Sequence, residues 1–249
     1  AGGLGALSVA FATYLGFFSE LGLRSVRAHQ LASAVLGCVS IVLAGLLGRE
    51  LLGERAGLIA AGITAVYANI WLNDGIVMSE TAAIAFAFLT ALLGLRFWRA
   101  PTLYRAMWFA LAGGLAALSR AELVAFVPIV GAVALLRAPL SWRTRIVRYV
   151  AMGAVAVAVV APWIIRNNLV MNEPVLLSNG AGTVAVQANC DDTYYGRYIG
   201  YWSLRCGGTQ PVGPNGEFLD ESERDVVVRE RAAEYISSHT KRLVTVVVP

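Results

Sequence analysis

Long apolar runs separated by short polar junctions constrain this chain more than any single motif. The six longest cover approximately residues 28–47, 56–72, 75–97, 103–118, 123–136 and 146–165. A bilayer core of roughly 30 Å needs about 20 apolar residues at 1.5 Å each. With 57% hydrophobic and 14% charged residues, the chain is far from the composition of soluble domains. The sequence therefore predicts an all-α polytopic membrane protein, a helical bundle with about six spans.

A shorter apolar run, residues 4–18, precedes these spans and has Tyr14 and Ser19 near one end. It is either a seventh span or a helix on the membrane surface, and we expect the surface helix because the run is short. Residues 1–165 are thus predicted to form one transmembrane domain. Since the sequence shows no initial Met, basic n-region or cleavage site, we expect it to be a fragment cut at both ends.

The arginines predict how the spans are oriented. Alternate junctions contain nine of them: Arg49, Arg55, Arg96, Arg99, Arg105, Arg137, Arg143, Arg145 and Arg148. Short junctions rich in Arg lie on the cytoplasmic side of a membrane. Arg24, Arg27 and Arg120 lie on the other side in this assignment and are outnumbered. We expect a multi-pass plasma-membrane protein with an extracytoplasmic active face; short basic clusters of this kind do not predict nucleic-acid binding.

The composition changes after the sixth run, and residues 166–242 are predicted to form an extracytoplasmic region. PVLLSNG and TVAVQAN have the pattern of short strands, with a turn at Asn179–Gly180. Residues 218–242 predict an amphipathic helix with acids in its first turns and basic residues in its last. Residues 243–249 are expected to begin a further, truncated span.

Two of the three cysteines lie in this extracytoplasmic region. Cys190 and Cys206 are separated by a loop of 15 residues, and a disulfide closing such a loop stabilises a fold by about 3 kcal/mol in the chain-entropy model. The alternative is two free thiols. Asp191 and Asp192 have no His or third Cys nearby, so we predict no metal site. Cys38 lies within the first span and is expected to be a small buried apolar residue.

Aromatic side chains are dense between the two cysteines. Tyr194, Tyr195, Tyr198, Tyr201 and Trp202 fall within this short loop. Aromatic rings of this density either stack on a sugar or anchor a protein at the membrane interface. Both interpretations are compatible with the sequence.

Polar residues cluster at the outer ends of the spans, where charges are costly and usually functional. The three outer junctions contribute Asn73, Asp74 and Glu80, then Arg120 and Glu122, then Arg166, Asn167 and Asn168. We expect them to converge on one surface of mixed charge, which suits an anionic lipid headgroup and a sugar. The alternative is that Arg120 and Glu122 pair with each other or cap helix ends.

Three stretches resemble a known family when they are taken in order. They are RAHQLASAVLGCVSIVLAGLLGRELLGERAGLIAAGITAVYANIWLNDGIVMSE, GLAALSRAELVAFVPI and APWIIRNNLVMNEPVLLSNGAG. Together they resemble bacterial membrane glycosyltransferases related to protein O-mannosyltransferases and lipid A aminoarabinose transferases, which have the C-type glycosyltransferase fold. The resemblance covers most of residues 24–182. ANCDDTYYGRYIGYWSLRC resembles a loop of actinobacterial members.

This resemblance implies an inverting, metal-independent transfer of a sugar from a polyprenyl-phosphate donor to an extracytoplasmic protein or glycan acceptor, without a cofactor. In the family an aspartate in the first extracytoplasmic loop removes the acceptor proton. That loop is expected to precede residue 1, so the general base lies outside this sequence. Asp74 and Glu80 match the family's acidic end only loosely, and remain candidates.

The resemblance also suggests which residues contact the substrates. By position, Arg120 and Arg166 match groups on the phosphate side, so these two residues with their neighbours Glu122 and Asn167 form the expected donor-binding set. The residues expected to contact substrate from loops are Asn73, Tyr194, Tyr195 and Trp202. A transporter, a lipid flippase or a non-catalytic membrane subunit is the alternative, but the spans are apolar throughout their middles, unlike those of transporters.

Overall fold

The computed structural model describes residues 9–207, 211–213 and 216–247. Its α-helices are α1 (Val9–Glu20), α2 (Val26–Leu52), α3 (Glu54–Val66), α4 (Ala68–Gly75), α5 (Glu80–Arg99), α6 (Leu103–Ser119), α7 (Phe126–Arg137), α8 (Trp142–Val170), α9 (Ala181–Ala188), α10 (Asp191–Tyr194), α11 (Glu221–Ser238) and α12 (Leu243–Val247). Short 3₁₀ segments cover Ala121–Ala125, Leu204–Gly207 and Thr240–Arg242. Within these described ranges extended pairing is limited to one bridge between Val212 and Phe218. The all-α fold predicted from the sequence is confirmed.

The chain divides into two compact units, Ala1–Trp163 and Ile164–Pro249. The division falls within α8, so the first unit contains α1 to α7 and most of α8. The second unit contains the end of α8 together with α9 to α12. The first five apolar runs and nearly all of the sixth thus belong to the first unit, and the cysteine-containing loop belongs to the second.

Three of the described helices are long and apolar enough to cross a membrane: α2, α5 and α8. The pair α3 and α4 makes a fourth if it is one span, although it is bent by 51°. The bend falls at Tyr67, whose backbone is extended. Each apolar run of the sequence is largely helical, although the run 56–72 is divided between α3 and α4, and α6 and α7 are shorter than the candidate spans. The number of crossings stays a prediction.

Several helix boundaries differ from those of the apolar runs. The third run starts at residue 75, but α5 begins only at Glu80, because the turn after α4 occupies the residues between them. The fifth run starts as a 3₁₀ segment, and α7 begins at Phe126. Pro128 is therefore in the first turn of α7, where a missing backbone N–H breaks no intrahelical hydrogen bond.

The N-terminal apolar run is described from residue 9 onward as α1. Phe11 and Leu15 of this helix are buried against Ala32 of α2 and Ala82 of α5. The Tyr14 hydroxyl donates a hydrogen bond of 2.8 Å to the carbonyl of Ala32. Residues 4–8 of the predicted surface helix lie outside the described residues, and the membrane position of this helix stays a prediction.

An aromatic pair lies at the centre of the main core of the first unit. Phe97 of α5 and Phe109 of α6 are fully buried and stack with their ring centroids 5.9 Å apart. Val127 of α7 and Met152 of α8 complete this core. A β-carbon at Gly114 would come within 2.9 Å of Val159, so a small residue lets α6 and α8 approach closely.

The prediction that Cys38 is buried is wrong, because its side chain is exposed. The buried residues of α2 recur on one face: Ala32, Ser33, Gly37, Ser40 and Ala44. Cys38 follows Gly37 directly, so it is turned about 100° away from that face. In a membrane span such a residue faces lipid.

The predicted strands of the second unit are also wrong. TVAVQAN belongs mostly to α9, and PVLLSNG forms an irregular loop before it. Helix α9 is favoured because Asp225 of α11 accepts hydrogen bonds from the backbone N–H groups of Gly180 and Gly182, at 2.8 and 2.7 Å. These N–H groups lie at the helix N-terminus and have no partner within α9.

The amphipathic helix predicted for residues 218–242 is present as α11, but it is shorter. Asp220 caps its first turn, and its side chain accepts hydrogen bonds from the backbone N–H groups of Ser222 and Glu223. The helix ends at Ser238. Lys241 and Arg242 therefore lie in the 3₁₀ segment after it, and the last turn of α11 has no basic residue.

Candidate functional site

One end of the first unit brings together an acid and an arginine from different outer junctions. Glu80 starts α5 and Arg120 follows the last residue of α6. The Arg120 guanidinium lies 2.5 Å from the Glu80 carboxylate, and the two side chains are 47% and 27% exposed. Glu122 is exposed. The acid that pairs with Arg120 is therefore Glu80, which is 40 residues away in the chain, and not the nearby Glu122.

Asp74 precedes Glu80 by six residues in the chain and is half-buried against other helices. The Thr81 hydroxyl donates a hydrogen bond of 2.9 Å to Asp74 Oδ1. On the other side the carboxylate fills the space beside Gly37 of α2, where a β-carbon would overlap it and come within 2.7 Å of Asp74 Cγ. Asp74 thus joins α4 to α2 and to the first turn of α5.

The turn between Asp74 and Glu80 has an unusual backbone. Val77 has a φ of +56°, a conformation that β-branched residues rarely adopt and that costs of order 1–3 kcal/mol. Gln30 of α2 donates a hydrogen bond of 2.7 Å to the carbonyl of Gly75. The contacts of Asp74 and Gln30 therefore hold a strained turn that sets the position of Glu80.

The supporting residues of this region were not predicted from the sequence. Gly37, Thr81 and Gln30 act through contacts that only the fold reveals. A signal was nevertheless present, because Ser33, Gly37 and Ser40 recur at helical spacing within an apolar run. Ser33 is fully buried and its hydroxyl has no hydrogen-bond partner among the described residues.

Other residues of the outer junctions make local hydrogen bonds. Asn73 donates a hydrogen bond of 2.7 Å to the carbonyl of Asn69 within α4. Arg166 and Asn167 belong to the second unit, where the Arg166 guanidinium donates to Asn167 Oδ1 at 3.3 Å. Asn167 is buried. The structure thus joins two of the three outer junctions through Glu80 and Arg120, and the convergence of the third stays a prediction.

The cysteine-containing loop of the second unit is closed by a disulfide. The sulfur atoms of Cys190 and Cys206 are bonded, and their Cα atoms are 5.9 Å apart. Tyr194 is fully buried, and its hydroxyl donates a hydrogen bond of 2.7 Å to Asn189 Oδ1. Tyr195 and Trp202 are exposed. Of the aromatic residues expected to contact substrate, the last two are therefore the accessible ones.

A cluster of aromatic and charged groups fastens this loop to the end of α11. The Tyr235 hydroxyl donates a hydrogen bond of 2.6 Å to Asp191 Oδ1, and the Tyr235 ring stacks on His239. Burial, this hydrogen bond and the negative charge of Asp191 raise the pKa of Tyr235 well above its usual range. Arg242 lies over the ring of Tyr195, 4.8 Å from its centroid. The loop is thus held by Tyr235 through Asp191 and by Arg242 through Tyr195.

These features define a multi-helix membrane protein with an acid–arginine pair at one end of its helices. A family model described as dolichyl-phosphate-mannose-protein mannosyltransferase matches residues 8–165. The chain belongs to this family, which supports a membrane glycosyltransferase that uses a polyprenyl-phosphate-linked sugar. No curated protein and no solved structure shows significant similarity to the chain. The family resemblance found in the sequence is confirmed, whereas the actinobacterial type stays a prediction.

Proposed function

We propose that this protein transfers a sugar, with inversion and without a metal ion, from a polyprenyl phosphate to an extracytoplasmic protein or glycan acceptor. The family supports the donor class. The observation that carries the assignment of the site is the pair of Glu80 and Arg120 at the end of α5 and α6. An arginine at a helix end on a side poor in other basic residues needs a compensating interaction. The Glu80 carboxylate provides one, and a phosphate bound to the remaining donors of the half-exposed guanidinium provides a second.

Arg120 is suited to a phosphate even while it is bound to Glu80. A guanidinium has five N–H donors in a planar fork, and the contact with Glu80 engages Nη2. About half of the side chain is exposed, so other donors are available to a ligand. The Glu80 carboxylate fixes the orientation of the fork and offsets its charge when no donor is bound.

The chemistry gains from a cation at this position. The bond between the sugar C1 and the phosphate oxygen breaks, and its electron pair stays on the departing polyprenyl phosphate. The acceptor oxygen forms the new bond to C1 and loses its proton to a base. Arg120 stabilises the negative charge that grows on the leaving phosphate, and a preorganised charge is more effective there than water.

Asp74 and Glu80 serve as positioning residues in this scheme. Glu80 is held by Arg120, and Asp74 by Thr81 and the backbone beside Gly37. Both carboxylates are thus already engaged by protein groups, unlike a base that must reach an acceptor hydroxyl. Arg166 remains a proposed donor ligand, and the buried Asn167 a residue that positions its guanidinium. Tyr195 and Trp202 remain proposed contacts for a sugar ring.

The first prediction concerns Arg120 in the full-length protein. Arg120→Ala is expected to lower kcat/KM for transfer from a polyprenyl-phosphate sugar by about a hundredfold or more, since one charge-stabilising group is lost. Arg120→Lys should retain part of the activity, because the charge remains but the fork is lost. Glu80→Gln should cost less than Arg120→Ala, because an amide oxygen still accepts from the guanidinium.

Arg27→Ala is the matched control, because it removes an exposed arginine from the start of α2. Its transfer rate should equal that of the wild type. A purely structural pair predicts instead that Arg120→Ala and Glu80→Gln lower abundance and thermal stability alike. A folded, normally abundant Arg120→Ala protein with unchanged kcat and donor KM would contradict the proposal.

A further inference from the structure

A second cluster of charge lies at the other end of α5 and α6, far from Arg120. This basic cluster consists of Glu50 with Arg96 and Arg99, which contact its carboxylate, and of Arg105 and Arg148, which bind backbone carbonyls beside them. The Glu50 carboxylate lies 2.6 Å from Arg96 and 3.6 Å from Arg99. Helix α5 has 20 residues, so this cluster is about 30 Å from the start of that helix.

Backbone carbonyls hold most of the cations of this cluster in place. Arg105 donates a hydrogen bond of 2.8 Å to the carbonyl of Arg96. Arg148 donates to the carbonyl of Pro101, and Arg99 to that of Glu50. A carbonyl orients a guanidinium without neutralising it. The side chains are therefore arranged before any ligand arrives.

The charge of the basic cluster is not balanced within the first unit. Among the described residues Glu50 is the one carboxylate at salt-bridge distance from these arginines, and it pairs with Arg96 and Arg99. Four guanidinium groups and one carboxylate leave a net charge of about +3, and Arg105 and Arg148 are held by carbonyls instead. Each guanidinium has five donors, of which the contacts above use only a few. Arg96 and Arg99 are 41% and 49% exposed. Donors and charge are thus available together.

Aromatic residues indicate that this end lies at the level of lipid headgroups. Trp98, Tyr104, Trp108 and Trp142 are exposed near it, and Arg137 lies over the ring of Trp98 at 4.9 Å. Exposed Trp and Tyr at the ends of apolar helices are typical of the membrane–water interface. A phosphodiester is the anion found at that level in every membrane, and basic pockets between spans bind such headgroups.

We propose that the basic cluster binds the headgroup of an anionic phospholipid. The negative charge of the phosphodiester offsets the excess positive charge of the arginines, and the acyl chains lie along α5 and α8. This site is independent of sugar transfer, because it uses none of the residues assigned to the donor. Its ligand is a lipid of the membrane and not the polyprenyl-phosphate sugar.

The test compares lipid mixtures and pairs of variants of equal charge. The full chain is placed in nanodiscs of phosphatidylcholine, with or without phosphatidylglycerol, and the midpoint of thermal unfolding is measured. Phosphatidylglycerol should raise the midpoint of the wild type by mass action. The increase should be lost in Arg105→Gln/Arg148→Gln. It should persist in Arg55→Gln/Arg143→Gln, which removes two exposed arginines outside the cluster.

Two further variants cover the case in which the glutamine pair does not fold. Arg105→Lys/Arg148→Lys keeps the charge and should keep much of the increase. Glu50→Gln removes the internal carboxylate and should retain more phosphatidylglycerol through purification than the wild type, as counted by native mass spectrometry. Both expectations follow from a bound phosphodiester, and neither follows from a cluster that only holds helices together.

Three results would overturn the proposal. An equal loss of the increase in both glutamine pairs would indicate diffuse attraction to a charged surface. No increase with phosphatidylglycerol in the wild type would remove the site. An increase reproduced by inorganic phosphate in phosphatidylcholine nanodiscs would replace the lipid by a soluble anion. None of these results depends on whether the protein transfers a sugar.

Discussion

At the residue scale, Gly37 shows how a missing side chain makes room for a charged group, the Asp74 carboxylate. The sequence identified Asp74 as a polar residue at a helix end, and its type alone indicated a functional role. Its surroundings could not be predicted, because Gly37 is 37 residues away in the chain from Asp74 and meets it only when α2 and α4 pack. Arg120 is a similar case, since its partner is Glu80 and not the adjacent Glu122.

The contact of Gly37 with Asp74 predicts the effect of a single methyl group. Gly37→Ala should lower the free energy of unfolding by about 1–3 kcal/mol, as overpacking does in well-packed interiors. Gly62→Ala is the matched control, because nothing lies within 4 Å of its β-carbon position in α3. That control should be neutral or slightly stabilising, since Ala has the higher helix propensity. Chemical unfolding in detergent measures both.

A double-mutant cycle identifies the cause of the loss. If the methyl group acts by displacing the carboxylate, Asp74→Ala should relieve much of the cost of Gly37→Ala, with a coupling energy of about 0.5–3 kcal/mol. Strictly additive effects would contradict the contact. Equal stabilities of Gly37→Ala and Gly62→Ala would contradict it as well.

At the scale of elements, long apolar runs predicted helices reliably and short segments did not. Alternating residues in TVAVQAN favoured a strand, but tertiary contacts stabilise the helix α9 instead. Asp225 accepts hydrogen bonds from two backbone N–H groups at the N-terminus of α9. Gly182 has no side chain, so α9 packs tightly on α11, with Val228 only 2.7 Å from its β-carbon position. Neither contact is visible in the local sequence. The capping residue of α11, in contrast, follows a known pattern.

Asp220 links the start of α11 to the loop before α9 and predicts an acid-sensitive fold. Burial favours its neutral form, but hydrogen bonds from the Ser222 hydroxyl and from the backbone N–H groups of Glu223, Asn172 and Ser222 lower its pKa overall. Because the native pKa lies below the unfolded value of about 3.9, the stabilisation is present at neutral pH. It is lost as the pH falls through the native pKa.

The prediction is tested with Asp220→Asn, which keeps a good helix cap but removes the charge. The thermal midpoint of the full chain should fall less steeply between neutral pH and about pH 3 in this variant than in the wild type. Glu230→Gln removes the same charge from the exposed face of α11 and should leave the acid dependence unchanged. Identical acid dependence in Asp220→Asn and the wild type would contradict the assignment.

At the scale of the whole molecule, the two ends of the first unit differ in charge. Contacts of Glu50, Arg96, Arg105 and Arg148 place the ends of α2 and α5 and the starts of α6 and α8 together. The end at Glu80 and Arg120 has mixed charge. The alternation of arginine-rich and arginine-poor junctions in the sequence predicted that the two ends differ in charge. Each apolar run is long enough to place consecutive junctions at opposite ends of the helices. Which end faces the cytoplasm depends on the membrane and is not encoded in the contacts.

The basic end and the disulfide predict the same orientation. Clusters of arginine remain on the cytoplasmic side, and a disulfide such as Cys190–Cys206 persists on the oxidising side. We therefore expect Arg143 to be cytoplasmic and the second unit to be extracytoplasmic. In a Cys38→Ala background, an impermeant maleimide should label Glu230→Cys in intact cells. It should label Arg143→Cys only after permeabilisation, and the reverse pattern would show that the chain is inserted in the opposite direction.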